Sequence, residues 1–87
     1  MNDYEISLGP WFKMQRTRKL LGLRETARNA GIGYVTLLRL ESDTFIPRVS
    51  TVRKVAETLG LDLDEVKGRF DAFVAERQSA DAFHRVD

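Results

Sequence analysis

The sequence predicts a small all-α fold of five helices. Apolar residues recur at spacings of three and four, and glycine or proline separates one such stretch from the next. No alternating, strand-like run follows residue 9. Residues 1–9 alternate Tyr4, Ile6 and Leu8 without a helix signal, and read as an extended or frayed tail. Gly9-Pro10 opens the first helix, because proline's missing N–H costs nothing at the first helical position. That helix runs to about Leu21, with Phe12, Arg16 and Leu20 on one face. Gly22 caps a short second helix, Leu23 to Ala30, and Gly31 ends it in the left-handed conformation. The third helix covers Tyr34 to Ser42, and a loop closes at Pro47-Arg48. Ser50 is the expected cap of the fourth, in which Val52, Val55, Ala56 and Leu59 form a buried stripe. Gly60 stops it. Asp62 and Glu65 have capping-box spacing, so a fifth helix starts near Leu63 and runs past Phe73.

Composition narrows the chemistry. Eighty-seven residues, 43% hydrophobic and 31% charged, make one domain. A chain of this size buries roughly 60–65% of its unfolded surface. It divides into the tail, residues 1–9, a core, 10–62, and a C-terminal segment, 63–87. Cysteine is absent and His84 is the single histidine, which excludes disulfides, a thiol nucleophile and cysteine or histidine metal clusters. No nucleophile–base–orienter set or glycine-rich phosphate loop occurs, so no catalytic residue, metal or cofactor is expected and the chain is not read as an enzyme. No apolar run approaches the length of a membrane span.

The net charge of +1 conceals an uneven distribution. Residues 10–54 carry ten Lys or Arg against Glu25, Glu41 and Asp43, a balance of +7, while the acidic ends total −6. A basic segment of this kind faces a polyanion.

Residues 23–41 supply the geometry. Small Ala27, then Gly31 four residues on, then Leu37 and Leu40 at helical spacing suit two helices packed steeply through a tight turn. With Leu37 inward, Leu40 and Glu41 also face the core. Val35, Leu38, Arg39 and Ser42 face outward, with Tyr34 and Thr36 on the flanks.

On Ala27, Gly31-Ile32, Thr36-Leu37, Arg39-Leu40-Glu41, Pro47 and Val55-Ala56-Glu57-Thr58-Leu59-Gly60-Leu61, the chain resembles the Cro/lambda-repressor (Xre-type) helix-turn-helix family over about residues 11–66. The resemblance implies a lambda-repressor-like domain whose third helix enters the major groove of double-stranded DNA. It implies an Arg16–Glu41 ion pair joining the first and third helices, and base contacts at Tyr34, Val35, Thr36, Leu38 and Arg39. Arg39 is the strongest of these, since its fork matches guanine O6 and N7. Val35 and Thr36 are placed to meet thymine methyls. Thr44 and Arg48 match backbone-gripping positions, and Arg24 and Arg28 flank the groove near a helix N-terminus that favours an anion. The family usually carries polar residues at the positions of Val35 and Leu38, and Ser or Thr at Gly33. Outward Leu38 leaves three options: reading a methyl, folding back on the core, or meeting a protein.

On the fifth helix, Phe73, Val74 and Phe83 exceed what the core of such a unit needs, and are expected to pair a homodimer. The sequence thus points to a cytoplasmic, nucleoid-associated repressor on a pseudo-palindromic operator. The alternative is a protein-interaction module on the same scaffold, an antiactivator or antitoxin-like partner of another regulatory protein.

Overall fold

The computed structural model describes the backbone of residues 6–85 and the side chains through residue 78. Five helices follow in order: α1 (Leu8–Arg18), α2 (Leu23–Ala30), α3 (Tyr34–Glu41), α4 (Val49–Thr58) and α5 (Leu63–Arg85). No strand occurs among the described residues. Helix α2 packs on α3 and α4, α1 packs on α3, and α5 lies along α1 and α4.

The entry of the chain departs from expectation. Helix α1 starts at Leu8, so the end of the expected tail is helical, and Leu8 and Gly9 are buried. Leu8 joins Trp11 and Phe12 in the core, where the two aromatic rings meet at 5.3 Å. Burying these side chains outweighs whatever freedom an unpacked tail would retain. Pro10 sits in the first turn, where its missing N–H removes no helical bond.

The other end of α1 also differs. Leu20 adopts a left-handed φ of 57° and is 92% exposed, off the Phe12–Arg16 face. Its N–H donates to the Thr17 carbonyl at 3.0 Å, and the Leu21 N–H donates to the Arg16 carbonyl at 3.2 Å. This closure pairs two carbonyls that the helix would leave open. It also turns Leu21 against the core in place of Leu20.

Helix α2 has the expected ends, with Gly22 as cap and Gly31 at φ 73°. Helix α3 stops one residue before Ser42. Helix α4 begins earlier than Ser50 suggests, with Arg48 as its N-cap and no side-chain cap bond. The chain leaves buried Pro47 already in register for Val52, Val55, Ala56 and Leu59 to face inward, and core register outranks a local cap. On α5, the Asp62 carboxylate accepts the Asp64 N–H at 2.9 Å as a cap should. Glu65 does not close the box; it faces Arg69 one turn on, at 3.6 Å.

Helix α5 completes the core rather than leaving it. Val66 and Phe73 are buried, Phe70 packs against them, and Val74 is half-buried. Phe73 is therefore a core residue, which removes it from the expected dimer face. Phe83 of that face lies outside the described side chains. Two cations seal the aromatic groups: Arg69 lies 4.5 Å over the Trp11 ring and Arg77 lies 5.0 Å over Phe73. Among the described residues no helix is long and apolar enough to cross a membrane.

Candidate nucleic-acid interface

Two helices and a tight turn build the exposed surface. Ala27 and Ala30 are buried where α2 meets its neighbours, and Ile32 N–H returns to the Ala27 carbonyl at 3.0 Å across Gly31. Leu37 and Leu40 anchor α3, each at most 2% exposed. With that face fixed, the helical period sends the other face outward. Val35 is 45% exposed, Leu38 49% and Tyr34 39%, with Arg39 also exposed and Thr36 half-buried. Leu38 stands in solvent, so folding back on the core is excluded.

The C-terminal end of α3 is held by three ties. The first is the Arg16–Glu41 pair implied by the resemblance. Arg16 Nε donates to Glu41 Oε2 at 2.7 Å and Nη2 to Oε1 at 2.9 Å. Arg16 Nη1 donates to the Leu21 carbonyl at 2.8 Å, so the fork also fixes the turn between α1 and α2. The pair is almost closed to solvent, its side chains 10% and 5% exposed. The Glu41 hydrogen bond pushes the Arg16 pKa above its ordinary value; burial opposes this and the Glu41 charge adds to it.

The second tie is one that sequence reasoning missed. Asp43, at a left-handed φ of 58°, accepts the Gly9 N–H through Oδ1 at 2.7 Å. Gly9 lies in the first turn of α1, where Ser7 offers no side-chain cap. The cap is supplied from 34 residues away. The third tie is Arg77 Nη2 of α5, which donates to the Asp43 carbonyl. In sequence, Gly9-Pro10 looks like punctuation and Asp43 has no local partner, so neither announces this contact.

The ties change the charge seen from outside. Of the three acids in residues 10–54, Glu41 is buried against Arg16 and Asp43 is bonded to Gly9, which leaves Glu25 as the exposed one. Arg24, Arg28, Arg39 and Arg48 are all exposed. Arg24 stacks 3.9 Å over the Tyr34 ring, joining an expected phosphate contact to an expected base contact. Thr44 behaves differently. Its hydroxyl donates to the Arg39 carbonyl at 3.1 Å, so its single proton closes the end of α3 instead of pointing at a phosphate.

A helix-turn-helix family profile matches residues 13–66, more than half of the 87 residues. The chain belongs to the Cro/lambda-repressor (Xre-type) helix-turn-helix family. It is a DNA-binding helix-turn-helix regulator in general character. Within the helix-turn-helix match, α2 and α3 are the paired helices and Gly31 starts the turn between them. A comparison with curated proteins found no match.

Proposed function

We propose that the chain is a sequence-specific repressor that occupies a pseudo-palindromic operator as a homodimer in the cytoplasm. The observation that carries this is the outward face of α3 set among exposed Arg24, Arg28, Arg39 and Arg48, with two of the three neighbouring acids turned inward. The α3 side chains, Tyr34, Val35, Thr36, Leu38 and Arg39, meet base edges. Arg24, Arg28 and Arg48 hold the backbone. Helices α2 and α4 add N-terminal N–H groups with no side-chain cap, which suit phosphate oxygens.

Support for the dimer comes from the length of α5. Among the described side chains of α5, which end at residue 78, Phe73 is the last buried one, and the helix continues to Arg85. Arg77 is still tied to Asp43 and Phe73, and the eight residues that follow it extend the helix by about 12 Å. A helical overhang of that length is marginal in water unless another surface covers it. Val74 and Phe83 lie on the part a second copy would cover.

The exposed Val35 and Leu38 support a second reading, a protein-docking module on the same scaffold. Substitution separates the two. Arg39→Ala is expected to weaken binding to an operator duplex by ~1–3 kcal/mol and to relax the base preference at one position. Arg28→Ala is expected to weaken binding to all duplexes alike, and to reduce the salt slope by about 0.9. Mobility shifts across a salt series read both. Unchanged DNA binding by Arg39→Ala, with the fold intact, favours the docking module.

A further inference from the structure

We propose that the outward face of α3 docks into a groove between α5 and the start of α1 on a second copy of the chain, and is there withheld from DNA. The consequence for DNA rests on the DNA-binding reading above. The groove holds about 740 Å³. Buried Leu8 and Phe73 line its floor, together with exposed Gly68 and Ala72, one turn apart on α5. A Cβ added at Gly68 would meet nothing within 4 Å, so the floor is open there. Asp64, Glu65 and Glu76 form the rim, all three exposed. Among the described lining residues Arg69 is the one cation. It lies over the Trp11 ring and faces Glu65 at 3.6 Å, with its side chain only 8% exposed. The mouth of the groove is therefore negative, and a cleft rimmed by one sign of charge concentrates its field on an incoming group.

Such a rim repels a polyanion. It also repels a second α5: laid antiparallel with Gly68 against Ala72, the two helices would set Asp64 opposite Glu76 at both ends. Val74, half a helical turn from Ala72, faces away from the groove and stays open to homodimer pairing. What fits is an apolar surface flanked by cations, and the chain carries one. Val35 and Leu38 lie one turn apart on α3, 45% and 49% exposed, among exposed Arg24, Arg28 and Arg39. Helix α3, eight residues long, spans about 12 Å, and Asp64 and Glu76 stand about 18 Å apart along α5. No α3 residue lines the groove, so the face of one copy meets the groove of another. Such a head-to-tail contact leaves one face and one groove unused, and assembly grows with concentration. Small and charge-driven, it is weak and sensitive to salt. The basic segment of one copy thus meets the acidic segment of the next, and DNA competes for the same face.

Sedimentation of the full chain over a concentration series, at low and high salt, tests the docking with two variants that each disable one side. Gly68→Lys fills the groove with a cation, at a position with room for it. Leu38→Asp puts an acid on the exposed face of α3. Thermal melts check that both stay folded. The parent is expected to grow in size with concentration at low salt and to disperse at high salt. Each variant alone is expected to self-associate at least about tenfold more weakly. Mixing the two restores assembly, because Gly68→Lys keeps the face and Leu38→Asp keeps the groove. Short random-sequence duplex DNA added to the parent at low salt disperses the larger species. A parent of constant size, or a mixture no larger than its components, overturns the inference. Duplex that binds without dispersing the assembly overturns the masking of α3. Assembly restored by mixing, with no duplex bound by parent or variant, supports the docking and overturns the DNA-binding reading instead.

Discussion

Glu41→Leu is expected to lower the stability of the fold by ~3–5 kcal/mol, because it leaves the Arg16 guanidinium buried with its carboxylate removed. Arg16 keeps a single bond to the Leu21 carbonyl after the change, and its side chain is 10% exposed, so water reaches it poorly. Arg16→Met strands Glu41 in the same way. The double variant Arg16→Met/Glu41→Leu removes both charges and is expected to regain most of the loss, since an apolar pair of similar volume often matches a buried ion pair. Urea unfolding of the two single variants and the double reads the coupling directly. Single variants within about 1 kcal/mol of the parent would contradict a buried, mutually dependent pair. Acidity or mild base does not move the Arg16 side of the pair. Its folded pKa is raised, so its contribution is fully present below the ordinary arginine range and is lost only as pH climbs through the still higher folded value.

Gly9→Ala is the second large effect, expected at about 3 kcal/mol from overpacking and the loss of a charge-assisted hydrogen bond. An added Cβ would stand 2.5 Å from Asp43 Oδ1, 2.7 Å from the Glu41 carbonyl oxygen and closer still to that of Leu40. Two of these three are backbone atoms at the end of α3, so relief requires α1 and α3 to part. Gly68 gives the contrast. It lies within α5 with nothing inside 4 Å of an added Cβ, and Gly68→Ala is expected to stabilise by up to about 1 kcal/mol. One substitution type thus changes sign with its surroundings, and thermal or urea melts of the two variants measure it. A neutral Gly9→Ala would mean that the α1–α3 approach is looser than the Gly9–Asp43 bond indicates.

Both effects bear on function because both fix the C-terminal end of α3. An outward face can read bases only if its register against α2 and α1 is rigid. The Arg16 fork, the Asp43 cap and Arg77 supply that rigidity from three elements.

Elements defined by local signals were legible in the sequence. Helix α2 runs from Leu23 to Ala30 between Gly22 and Gly31, as the two glycines require. The stripe of α4 and the inward set of α3 followed from helical period alone. Contacts that depend on distant partners were not legible. Gly9 and Asp43 are 34 residues apart, and nothing in either neighbourhood encodes the meeting. Ser50 failed as a cap because the register after Pro47 was set by the core, and Leu20 left its face because the left-handed turn brought Leu21 inward. Phe73 looked surplus to a core counted along the chain, and proved to be needed once α5 lay against α1. On the outward face, the exposed residues were legible from period, whereas the Arg24–Tyr34 stack and the inward use of the Thr44 hydroxyl depend on how the turns on either side of α3 fold back.

The most direct test of sequence-specific DNA binding through α3 is a selection of bound duplexes from fully random DNA by the intact chain at low salt. The predicted result is enrichment of two symmetry-related half-sites with centres about 34 Å apart, one turn of duplex. A pool that stays as random as it began, with the protein folded, would contradict it.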